Sequence, residues 1–75
     1  MNAAKKLAFA NTALEAAKTL QNIAANRYYN AKPGSPEEAE ARATCERLSQ
    51  QYDEARAYRD ACKAEYFKTL EQATA

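Results

Sequence analysis

The sequence has no histidine and no tryptophan, a single glycine, two prolines and two cysteines. Each scarcity removes a class of protein. Without histidine, no side chain ordinarily titrates near neutral pH, and the usual general base is missing. Two cysteines without histidine cannot supply the three or four ligands of a zinc site. They are also too few for the disulfide framework of a small secreted domain. One glycine leaves no glycine-rich loop for phosphate, and no nucleophile-elbow pattern occurs. Glu37 and Glu38 pair two carboxylates, but at a helix start such a pair complements the macrodipole. The expectation is a protein that is not an enzyme, with no cofactor, no metal and no small-molecule substrate.

Long apolar runs are missing too, so no segment is expected to span a membrane. Lys5 and Lys6 followed by Leu7-Ala8-Phe9-Ala10 have the outline of a secretory signal. Asn11, Thr12 and Glu15 interrupt it, and the expectation is a cytoplasmic chain with reduced thiols. The 75 residues make one domain, 1–75, whose core only marginally offsets its ordering entropy. With metals and disulfides set aside, oligomerisation is the staple that remains. The net charge of +1 gives no global field to steer nucleic acid or membrane to the chain. Residues 1–32 nevertheless carry five basic side chains against one acidic, and residues 33–75 six against nine. Opposed halves of this kind are expected to attract when folded side by side.

What is abundant is alanine, 19 residues of the chain and the best helix former. The glycine and both prolines fall together in Pro33-Gly34-Ser35-Pro36. Pro33 pushes Lys32 off the helical region, and Gly34 can take positive φ. Ser35 then caps a second helix, with Pro36 at its first position and Glu38 completing a capping box. The reading is all-α: helix 1 over about 3–31, a turn at 32–35, and helix 2 over about 36–73. So short a connection makes the pair an antiparallel hairpin. Helix 2 is longer and should overhang by roughly two turns.

Helix 2 carries a seam at alternating spacings of four and three: Ala41, Cys45, Leu48, Tyr52, Ala55, Arg59, Cys62, Tyr66, Thr69 and Ala73. Arg59 is its one charged member, expected to pack its stem and carry the guanidinium to an edge. Cys45 and Cys62 lie roughly 25 Å apart along one helix and cannot pair within it. They read as small core residues, though antiparallel packing of two copies of helix 2 would oppose them.

Helix 1 differs. Its apolar side chains run from Ile23 and Ala16, through Phe9, Leu20 and Ala13, to Ala10, Leu14 and Leu7, an arc roughly 200° wide. One neighbouring helix covers about half of that. A homodimer forming a four-helix bundle is the simplest way to cover the remainder, with Leu7, Phe9, Leu14, Leu20 and Ile23 as the self-association residues.

Three outer surfaces remain. Helix 1 displays Asn11, Asn22, Asn26 and Asn30 with Thr12, Thr19, Glu15 and Lys18, and asparagine is a mediocre helix former there. Lys5 and Lys6 sit near the positive end of the helix dipole, where acidic groups are favoured, which hints at an acidic partner. Ala57, Ala61, Ala64 and Phe67 form a line on the outside of helix 2, and Phe67 near Tyr66 and Leu70 reads as an anchor. Tyr28 and Tyr29 are expected to close the hairpin's end. The candidate partner-binding residues are Asn11, Lys18, Asn22, Asn26 and Phe67. The functional expectation is a dimeric, non-enzymatic interaction module with a protein partner: an adaptor, inhibitor or regulator of the phage or plasmid type. The alternative is an RNA- or DNA-binding regulator using the basic, amide-rich helix 1. In overall plan that second reading resembles the Rop family of plasmid copy-number regulators, also dimers of helical hairpins, without any shared motif.

Overall fold

The computed structural model describes residues 2–74, and within them the chain is two helices, α1 (Ala3–Asn30) and α2 (Pro36–Thr74). The expected boundaries hold to within a residue at each end. Asn2 opens α1: its backbone is extended and its side chain accepts from the Lys5 amide at 2.8 Å. Asparagine satisfies orphan donors at this position as well as any residue. No acidic side chain stands in the first turn of α1, so Lys5 and Lys6 face the dipole uncompensated by neighbours in sequence.

The corner forms as the local chemistry dictates. Ala31 leaves the helix with ψ 145°, and Gly34 sits at φ +79°. The Ser35 amide donates to the Lys32 carbonyl at 3.1 Å, closing a type II turn with Pro33 and Gly34 in its centre. The Ser35 hydroxyl accepts from the Glu38 amide at 3.2 Å and donates to the Lys32 carbonyl at 2.6 Å. The Glu38 carboxylate reaches back to the Gly34 amide at 3.4 Å, one residue before the cap itself. Ser35→Ala is therefore expected to cost about 1 kcal/mol, seen as a lower urea midpoint with an unchanged helix signal. An unchanged midpoint would show that the turn holds without its cap.

Two contacts set the register of the hairpin: Gln21 Nε2 donates to Ser49 Oγ at 3.0 Å, and Lys6 Nζ pairs with Glu65 Oε1 at 3.6 Å. Facing residue numbers thus add to about 70, and Ala3 lies near residue 67. The last turns of α2 have no neighbour. Thr69 and Ala73, the final members of the expected seam, are exposed there, as are Phe67 and Leu70. The rod is 60 Å long and 16 by 14 Å across.

From Ala41 to Tyr66 the seam of α2 is at least half-buried at every position, with Cys62 at 4 % exposure. Against it α1 presents Ala3, Leu7, Ala10, Leu14, Ala17, Gln21, Ala24, Tyr28 and Ala31, again at spacings of four and three. Small residues at every second position let the backbones approach, and the larger α2 side chains fill the space above them. Arg59 behaves as its position demands: the side chain is half-buried and Nε donates to Asp60 Oδ1 at 2.8 Å. Charge contributes little between the helices. Among the described residues, Lys6 with Glu65 is the one ion pair joining them, and both side chains are well exposed.

Candidate interaction surface

The fold divides α1 into three sectors. The first, described above, packs on α2 and takes Leu7 and Leu14, two of the five residues expected in self-association. Leu14 is 9 % exposed. The other three remain outside: Phe9 is 62 % exposed, Leu20 50 % and Ile23 48 %. With Ala13 and Ala16 between them they form a second apolar stripe, displaced around the helix from the first and running its middle half. Helix α2 borders this stripe with Tyr58, half-exposed, close to Lys6 and Glu65. Hydrogen bonding with the Cys62 side chain, and then charge repulsion from it, pushes the Tyr58 phenol above its ordinary pKa.

The stripe ends at the corner in a recess of about 580 Å³. Ile23, Ala24, Ala31 and Ala41 supply apolar walls, and Arg27, Glu37 and Glu40 stand around it. The sequence pattern gave no sign of this recess, because its two walls come from opposite ends of the turn. Arg27 forms no ion pair within 4 Å of either glutamate among the described residues.

The third sector is polar. Asn11, Lys18, Asn22 and Asn26 are all exposed and share one side of α1, with Asn11 beside Leu7 and Asn26 at the rim of the corner recess near Ile23 and Ala24. The threonines beside them are occupied: Thr12 Oγ1 donates to the Ala8 carbonyl and Thr19 Oγ1 to the Glu15 carbonyl, each at 3.1 Å. The amides of Asn11, Asn22 and Asn26 form no intramolecular hydrogen bond among the described residues.

Phe67 is 51 % exposed and its ring lies 5.9 Å from that of Tyr66. A shallow groove of about 290 Å³ brings Phe67 together with Asn11, Leu7, Arg59, Lys63 and Tyr66. Two of the candidate partner-binding residues, Asn11 and Phe67, thus meet at one end of the molecule, whereas Lys18, Asn22 and Asn26 continue along α1 away from it.

At the other end the two tyrosines separate. Tyr28 lies over the interhelical seam, and its hydroxyl, hydrogen-bonded to the Arg42 guanidinium, pushes that pKa up. Tyr29 is 81 % exposed and closes nothing, contrary to the expectation of a paired lid. It meets Tyr28 edge to face at 5.8 Å. Cys45 and Cys62 are both free thiols, half-buried and buried respectively. Among the described residues no cluster of acidic and sulfur ligands could hold a metal, and no helix is long and apolar enough to cross a membrane.

Comparison with known proteins gives no family: no family model, curated protein or solved structure matches the chain.

Proposed function

We propose that this protein is a non-enzymatic interaction module, a homodimer of hairpins that binds another protein through the amide-rich sector of α1. The observation that carries the reading is the separation of sectors on that helix. One apolar stripe is spent on α2, a second is left uncovered, and the exposed amides of Asn11, Asn22 and Asn26 form a separate polar side that borders Leu7 at one end and the corner recess at the other.

The need for a second copy follows from how little the hairpin buries. Its core among the described residues is Ala10, Leu14, Ala24 and Cys62, three of them small. The accessible surface is 5785 Å², where a compact monomer of 8.3 kDa exposes about 4,600 Å². The excess is comparable with what one partner contributes to a specific interface, roughly 800 Å². Pairing two hairpins along the uncovered stripe makes a four-helix bundle and leaves the amide sector facing outward.

Arrays of amides suit recognition of a protein backbone, whose carbonyls and amides they can bond in either polarity. An adaptor, inhibitor or regulator works in this way, and a reducing compartment such as the cytoplasm suits the two free thiols. The test is simultaneous replacement of Asn11, Lys18, Asn22 and Asn26 by alanine. Because alanine is the better helix former, the variant should melt at or above wild type, gaining a few tenths of a kcal/mol per asparagine. It should at the same time lose the protein that wild type retains from its native host. Retention of that protein by an equally stable variant would leave the sector as solvated surface and move the site to Phe67, Tyr66 and Leu70. Retention of nucleic acid instead, falling steeply as salt rises, would mark a regulator of the second class.

A further inference from the structure

The uncovered stripe of α1 has an internal symmetry. Asn2, Phe9, Ala16, Ile23 and Asn30 recur every seven residues and read outward from Ala16 as small, large apolar, amide in both directions. The row beside it places Ala13 and Leu20 about the same centre, and beyond them Lys6 and Arg27. A two-fold axis at Ala16 lays a second α1 antiparallel on the first, with Phe9 opposite Ile23 and Leu20 opposite Ala13. Leu20 then faces the small Ala13, Phe9 faces Ile23 instead of its own copy, and two alanines meet at the axis. A parallel arrangement sets Phe9 on Phe9 and Leu20 on Leu20 with the helix dipoles aligned, whereas Lys6 and Arg27 meet basic side chains in either arrangement and do not discriminate between them.

The antiparallel arrangement also carries the start of the partner's α1 to the corner recess. Residues 23–30, several of which line that recess, face residues 2–9 of the second copy. Phe9, the most exposed apolar side chain of the stripe, arrives at the apolar walls formed by Ile23, Ala31 and Ala41. Lys5 arrives at the recess that holds Glu37 and Glu40 beside Arg27, while Lys6 stays paired with Glu65 of its own hairpin. Two oddities of the single hairpin are removed together: Lys5 at a helix start with no acidic side chain in its first turn, and a recess whose glutamates form no ion pair within 4 Å among the described residues.

We propose that the corner recess of each protomer is a socket for Phe9 of a second copy, held by Lys5 against Glu37 and Glu40, in an antiparallel dimer with its axis at Ala16. The proposal rests on the reading of the chain as a dimer and specifies its register and orientation.

Zero-length carbodiimide coupling of the unmodified protein tests it, because within one hairpin Lys5 stands roughly 40 Å from the corner and cannot reach Glu37. The expected product is a covalent species of twice 8.3 kDa whose digest joins Lys5 to Glu37 or Glu40. Phe9→Ala should weaken the dimer at least about tenfold in sedimentation equilibrium while the monomer keeps its helix signal, and Tyr29→Ala, at the far side of the corner, should not. A monomer at high micromolar concentration would defeat the dimer reading and the register with it. A dimer that yields no such crosslink, or whose affinity is unmoved by Phe9→Ala, would overturn the socket while leaving dimerisation standing.

Discussion

Leu14→Ala should lower the unfolding free energy by about 2–3 kcal/mol, the lower end of the range for a buried leucine because the site is at the surface of a thin core. Leu14 is the one large side chain among the four core residues, and the alanines one turn away on its own helix, Ala10 and Ala17, are too small to refill its volume. For a chain of 75 residues that is a large part of the whole stability. Urea titration at several protein concentrations gives the measurement its edge. Leu14→Ala should lower the midpoint at every concentration, since the residue is spent on contact between α1 and α2. Leu20→Ala, half-exposed on the second stripe, should act on the concentration-dependent part of the stability. Equal effects of the two substitutions on a concentration-independent midpoint would show that the two stripes are not distinct.

Ala55→Pro should be more damaging still. Ala55 is half-buried in the seam near the middle of α2, which runs unbroken from Pro36 to Thr74. Proline there removes the bond to the Gln51 carbonyl and crowds it with the ring, at a cost of about 3 kcal/mol or more. A kink would also swing Arg59, Cys62 and Tyr66 away from the α1 residues they cover, so the local loss propagates along half the interface. The expected result is a chain that has lost most of its cooperative melt, followed by circular dichroism at 222 nm. Wild-type ellipticity and melting temperature in this variant would contradict a single continuous helix.

These two substitutions mark the division between what was legible in the sequence and what was not. The corner was legible because its causes are local: a proline restricting the residue before it, a glycine free to take positive φ, a serine capping three residues on. All act within four residues. The α2 seam was legible as far as Tyr66 because one heptad line is sustained along that helix, and the apolar residues off it up to Tyr66 are alanines apart from Tyr58. Its last members, Thr69 and Ala73, obey the same pattern yet are exposed, since a pattern on one helix does not say where its neighbour ends. The exposure of Asn11, Lys18, Asn22 and Asn26 followed from helical periodicity alone.

By itself, then, the sequence determined two helices, their boundaries, the turn between them and the polar side of each. Only the tertiary structure decided which half of the wide apolar arc of α1 meets α2. An arc about twice the width of one contact offers two seams of similar hydrophobicity, and hydrophobicity is not directional. Packing made the choice. The line through Ala3, Ala10, Ala17 and Ala24 is narrow enough for the close approach that the short turn imposes, and it leaves the bulk of Phe9, Leu20 and Ile23 outside. The recess at the corner, built from residues on both sides of Gly34, exists only once that choice has been made.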